Sequence, residues 1–139
     1  MSARFGADEI DAAAALVGRI HGDGRTAMVQ PFVDGEEHSL VYVDGEYSHA
    51  LSRRAPLPAG RERPGLYLDE QLAHATATSA ERTVADAAIA CSPDPTLYGR
   101  VDLLAGAVLE LELVEPSLYL GYGSGAVERF ADAIAEALS

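Results

Sequence analysis

The chain contains no lysine; all ten of its basic residues are arginine. No ε-amine is therefore available as a Schiff base, general base or phosphate clamp, and every permanent side-chain cation is a guanidinium. Asparagine is absent too, which together with the alanine- and glycine-rich runs fits a GC-rich coding bias. Cysteine occurs once, at Cys91. One cysteine excludes an intrachain disulfide and a thiolate zinc cluster, and its place at the end of an apolar helical run predicts a buried small side chain. Positive charge is scarce: 10 basic residues face 22 acidic ones, for a formal charge of −12. A surface of that sign repels phosphate backbones and anionic lipid, which argues against nucleic acid and membranes as partners. Apolar runs of about 18 residues or more are missing, as is a basic segment leading into an apolar one near Met1. Both absences predict a cytoplasmic protein.

What is present is globular material: 139 residues, 48% hydrophobic and 23% charged. A chain of this size can bury roughly 68–70% of its unfolded surface, so residues 1–139 are expected to form a single domain with a core of its own.

Hydrophobic spacing predicts a helix over 8–21, opened by Asp8 and Glu9 and stopped by Gly22-Asp23-Gly24. Residues 26–33 read as a strand interrupted by Pro31, which has no ladder donor. Two strands, 39–43 and 46–51, flank Asp44-Gly45, a strong hairpin signal. Residues 52–65 hold three prolines and four arginines and read as a long surface loop; Leu66–Leu68 reads as a short strand. Thr78-Ser-Ala-Glu81 is a capping box that opens a helix to about Cys91, halted by Ser92-Pro-Asp-Pro95. Strands follow at 98–104 and 107–114 around Gly106. Ser124 is placed as the cap of a last helix, with Val127, Phe130, Ala131, Ile134 and Leu138 inward. The pattern predicts an α+β fold, an antiparallel sheet with helices packed on one face.

The stretch most informative for chemistry runs from Arg100 to Ser117. Strand alternation turns Leu109, Leu111 and Leu113 to one face and Glu110 and Glu112 to the other. Neighbouring carboxylates repel unless positive charge lies between them, and hard divalent cations seek such oxygens. Asp102 joins Glu110 and Glu112 in one register only. A three-residue turn at Ala105–Ala107 pairs Asp102 with Glu110, whereas a two-residue turn at Ala105-Gly106 sets Asp102 opposite Leu109, on the wrong face. An amphipathic hairpin with its acidic face in water satisfies the same spacing. His38 and His49 lack zinc-ligand spacing and read as strand-surface residues, His49 near substrate. Gly121–Gly125 reads as a loop and cap in preference to an anion site.

Val101-Asp102, then Leu-Glu110-Leu-Glu112, then Glu115-Pro-Ser117, resemble the metal-binding hairpin that ends the ATP-grasp fold. Val29-Gln-Pro-Phe-Val33 resembles the family's interlobe connector. Ser39–Ala50 resembles the hairpin of its RimK-like and cycloserine-pathway branch. The resemblance implies the C-terminal lobe of an ATP-grasp domain, with the first grasp lobe and an N-terminal substrate domain absent from this chain. It implies ATP and Mg2+ as cofactors, and activation of a small-molecule carboxylate as an acyl phosphate for attack by an amine. Carried over by position, Asp102, Glu110 and Glu112 would hold magnesium. Gln30, Pro31, Phe32 and Val33 would meet the adenine, while Arg100, and Arg53 or Arg54, would face phosphates as catalytic residues. Glu112 stands where many relatives carry asparagine, and the lysine-bearing strand of the complete fold has no counterpart. The readings carried beside the ligase fragment are a non-catalytic module that self-associates as a homodimer or joins a missing-lobe partner, and a truncated gene product.

Overall fold

A computed structural model describes residues 3–54 and 71–139. The described residues divide between two compact units: 3–32, and 33–54 with 71–139.

The smaller unit is built on α1 (Ile10–Gly22), with Leu16 buried and Ile10 exposed. Gly24, at φ +74°, turns the chain away from the helix end. Residues 25–36 carry no strand. The strand expected over 26–33 does not form: among the described residues no strand pairs with it, and Met28 and Val29 are more than three-quarters exposed. In this unit the Arg4 guanidinium lies over the Phe32 ring, 3.7 Å from its centre.

The larger unit is a five-stranded antiparallel sheet of β1 (Glu37–Val43), β2 (Glu46–Arg54), β3 (Gln71–Ala75), β4 (Tyr98–Leu104) and β5 (Ala107–Glu112), in the order β3-β2-β1-β4-β5. With it go α2 (Ser79–Ile89), a 3-10 turn at Leu120–Tyr122 and α3 (Ala126–Ala137). Both hairpins turn on two residues of positive φ, Asp44-Gly45 and Ala105-Gly106, the left-handed pair whose twist matches that of the strands. Asp and Gly tolerate this backbone; Ala105 is a costlier choice. The strand at 71–75 is short and largely exposed and was not expected. The loop residues from 55 onward and the strand expected at Leu66–Leu68 lie outside the described residues.

One sheet face carries Leu40, Tyr42, Ala50, Val101 and Leu103, which pack against Val84, Ala85, Ala88 and Ile89 of α2. Burying each large apolar side chain here contributes about 1.5–3 kcal/mol. A Cβ on Gly99 would stand 3.0 Å from Ile89 Cδ1 and 3.2 Å from Leu113 Cδ2, so a bare backbone at that point lets α2 sit close. The expected capping box forms: Thr78 Oγ1 accepts from Glu81 N–H, and Glu81 accepts from Thr78 N–H at 2.8 Å. The remaining Glu81 oxygen accepts from His38 Nδ1 at 2.7 Å, tying α2 to β1. Tyr42 donates to Asp86 at 2.6 Å, and burial with that bond raises the phenol's pKa.

The helices divide between the two faces. Tyr98, paired with Val43, meets Phe130 of α3 edge-to-face on the side opposite α2. Gly125, at φ +66°, precedes α3, and Ser124 makes no capping bond. Ala126 is the buried residue of this helix, while Val127, Ile134 and Leu138 are exposed, so the buried stripe lies about one residue from its expected phase. Cys91, expected inside, is exposed because α2 ends at Ile89 and leaves it in the following turn. No helix among the described residues is long and apolar enough to cross a membrane.

Candidate functional site

Asp102 lies opposite Glu110, and Arg100 opposite Glu112. The register is the expected one, but the turn is not. Leu104 pairs with Ala107 across a two-residue turn, Leu103 with Val108, and the register then slips between Leu103 and Asp102. Leu109 is the extra residue. A bulge at that point restores the parity that the short turn alone would have lost.

On this face strand pairing also brings in residues of β1 and β2. Asp102 faces Ser39 of β1, Ser39 faces Leu51 of β2, and Glu37 pairs with both Leu104 and Arg53. Asp102 is fully buried and Arg100 nearly so. Arg100 grips the carboxylate with two parallel bonds, Nε to Oδ1 at 2.9 Å and Nη2 to Oδ2 at 2.9 Å. The same guanidinium reaches Glu112 Oε2 at 2.9 Å and donates from Nη1 to the Ser117 carbonyl at 3.2 Å. Arg53 donates from Nη2 to Asp102 Oδ2 at 2.7 Å and also pairs with Glu37.

A buried carboxylate is tolerable only when paired and hydrogen-bonded, and this one has both conditions met. Burial works against both arginine charges. The surrounding carboxylates outweigh it, Asp102 foremost for each, so both pKa values lie above the ordinary one. Two guanidinium groups thus sit among Glu37, Asp102 and Glu112, leaving one negative charge in excess, or two with Glu110.

The segment after β5 folds over this face. Pro116 is buried, Glu115 and Tyr119 adopt positive φ, and the Tyr119 ring stands 5.8 Å from the Arg100 guanidinium. His49 is almost fully buried, donating from Nε2 to the Leu118 carbonyl and accepting from the Ser48 hydroxyl, each at 3.0 Å. Burial lowers its pKa below the ordinary 6.5, outweighing the backbone bonds that favour the cation. His49 therefore anchors the covering segment rather than lying on the strand surface.

Of the expected metal residues, the structure joins Asp102 and Glu112 through Arg100 and sets Glu110 beside Asp102 with its side chain exposed. Among the described residues no group of three or more histidine, cysteine or acidic side chains converges as a metal cage. Donor type and shared face fit a hard divalent cation, but both Asp102 oxygens are engaged by arginine. Arg100 and Arg53 both belong to the cluster; the side chain of Arg54 lies outside the described atoms. Gln30, Pro31, Phe32 and Val33 are exposed residues of irregular backbone. Sequence reasoning missed Glu37 and Ser39, which arrive by strand pairing and carry no local signature; the only signal was their place in the Glu-Glu-His-Ser start of the first hairpin.

No protein-family model matches the chain. It is 38% identical over 137 aligned positions to the cycloserine biosynthesis protein DcsG of Streptomyces lavendulae, a match that covers 88% of this chain and 46% of the relative. The crystal structure of D-cycloserine synthetase DcsG superposes with a TM-score of 0.68 at 30% identity, covering 95% of this chain and 49% of that one. D-alanine–D-alanine ligase from Bacillus anthracis, complexed with ATP, has the same fold at a TM-score of 0.59 and 18% identity, over 91% of this chain and 45% of the ligase. The chain therefore spans about half the length of the proteins it matches. Fold and sequence together relate it to the ATP-grasp ligases as a partial ATP-grasp domain. Within that class, the similarity in sequence is to the cycloserine biosynthesis protein.

Proposed function

We propose that this chain is the ATP- and magnesium-binding portion of an ATP-grasp ligase that joins a small-molecule carboxylate to an amine. The observation that carries the reading is the pairing of Asp102 with Glu110 beside two arginines. The excess of two negative charges, counting Glu110, matches one divalent cation, and the guanidinium forks match phosphoryl oxygens.

Asp102, Glu110 and Glu112 would hold the ion, which would supply neutralisation of the charge that develops on a transferring phosphoryl group. Arg100, fixed by its two bonds to Asp102, presents a rigid cation to the transferring phosphoryl group or the acyl phosphate. Arg53 supplies a second such cation. The segment from Pro116 to Tyr122, pinned by His49, excludes water from Asp102 on that side. Gln30, Pro31, Phe32 and Val33 would meet the adenine through their backbone. Ligation requires parts of the fold that the matched relatives carry beyond this chain.

Isothermal titration with Mg-ATP tests the reading. The wild type should give a binding heat, and Glu110→Gln should weaken it by about tenfold, one lost charge contact. No heat from the wild type, or an unchanged isotherm in Glu110→Gln, overturns it.

A further inference from the structure

We propose that Arg53 is a gate on the cation site, occupying Asp102 until a polyphosphate draws it away, so that a divalent cation alone is kept out. The proposal rests on the reading of Asp102, Glu110 and Glu112 as the cation site and adds how that site is controlled.

The two arginines are held differently. Arg100 is 4% exposed and fixed at four points, two on Asp102, one on Glu112 and one on the Ser117 carbonyl. Moving it would strip a buried carboxylate of its main partner. Arg53 lies nearer the surface, close to the end of β2, its side chain 14% exposed; it gives Asp102 one bond against Arg100's two, at 2.7 Å on Oδ2, and its other partners include Glu37 and Tyr119. That oxygen also receives Arg100 Nη2. A magnesium ion needs its oxygens at about 2.0–2.1 Å in near-octahedral array, and it cannot share Oδ2 with two guanidinium groups whose charge repels it.

A second observation points the same way. Ser39 is fully buried opposite Asp102, and its hydroxyl has no hydrogen-bond partner among the described residues. Buried hydroxyls are rarely left so. If Arg53 leaves, a lone-pair site on Asp102 opens toward its cross-strand neighbour, and Ser39 can donate to it. The orphaned hydroxyl is thus accounted for by the open state of the gate. Polyphosphate is the ligand class able to open it, because a row of oxyanions can take a guanidinium fork in two parallel bonds.

Manganese in place of magnesium, read by the paramagnetic resonance of the free ion, tests this on the full chain without nucleotide. The wild type should leave the ion free at concentrations where Arg53→Gln binds it at least about tenfold more tightly. Equal binding by both proteins overturns the gate, and so does absence of binding in both, since Asp102 freed of Arg53 would then accept no cation. Where Arg53→Gln does not fold, Arg53→Lys carries the test. A single ammonium cannot hold Glu37 and Asp102 as the fork does, and a gain of several-fold is expected; no gain refutes the proposal. The outcome is separable from the nucleotide titration. A Mg-ATP heat in the wild type with no manganese gain in the variants sinks the gate alone. A manganese gain without any Mg-ATP heat sinks independent nucleotide binding alone.

Discussion

Replacing Arg100 by methionine should cost this protein more stability than any exposed ion pair could. Asp102 has no exposed surface, and Arg100 supplies two of its three hydrogen bonds from arginine. Removing one member of a buried pair typically costs about 3–5 kcal/mol, because the other charge stays behind. Here Arg53 remains on Oδ2, which places the expected cost at the lower end, about 3 kcal/mol. Asp102→Leu should cost a similar amount, since it leaves two arginines facing each other with only Glu37 and Glu112 in compensation. The double variant Arg100→Met/Asp102→Leu removes the pair as a pair and restores an apolar match. It should fall well short of the summed single losses, with a coupling of about 2–3 kcal/mol, near the top of the range for residues in direct contact. Urea unfolding followed by far-ultraviolet circular dichroism measures all four corners of the cycle. A cost below about 1 kcal/mol for Arg100→Met, the range of exposed pairs, would refute the buried network, as would additivity in the double variant.

Two further expectations concern the segment that covers the site. A Cβ at Gly123 would lie 2.5 Å from His49 Cγ and 2.8 Å from Ala126 Cβ, so Gly123→Ala should destabilise by about 1–3 kcal/mol through overpacking; a neutral result in thermal melting would show that this segment does not press on His49. His49 has a folded-state pKa below the ordinary 6.5 because burial disfavours its cation. The unfolded chain then binds the extra proton first, so this contribution is complete above the ordinary value and is lost as the pH falls through the lowered one. The stability difference between wild type and His49→Gln should therefore shrink with acidification across that window, and an imidazole midpoint at or above 6.5 in an NMR titration contradicts the burial argument.

Local signals in the sequence were legible where a few adjacent residues decide the structure. Asp44-Gly45 demanded a left-handed turn, and Thr78 with Glu81 closed a capping box, because in each case the chemistry lies within four residues. The alternation of leucine with glutamate set which face Glu110 and Glu112 share, and it left Asp102 to join them in one register only, the one the structure adopts. Parity does not say where an odd residue is absorbed. A three-residue turn and a two-residue turn followed by a bulge are equivalent in that respect, and the chain uses the second, with Leu109 as the extra residue. In α3 the apolar spacing put Val127, Ile134 and Leu138 inward, whereas the structure buries the small Ala126 and leaves those three exposed.

The candidate site itself was half legible. Its acids lie within one hairpin and could be read from spacing, and the repulsion among them implied a missing positive charge. What supplies that charge in the structure is protein: Arg53 comes from a strand 49 residues away in sequence, with Glu37 opposite it on β1. No local pattern announces such a pairing, since it depends on the strand order β2-β1-β4. Spacing alone offered an ion site or a solvated face; the structure adds two arginines among the acids. The acidic face is a partly compensated network, two arginines against Glu37, Asp102 and Glu112, with one arginine deeply buried and the other nearer the surface. Under the proposed gate, that asymmetry would couple phosphate binding to cation binding and would put the control of the site at Arg53, outside the hairpin that holds its carboxylates.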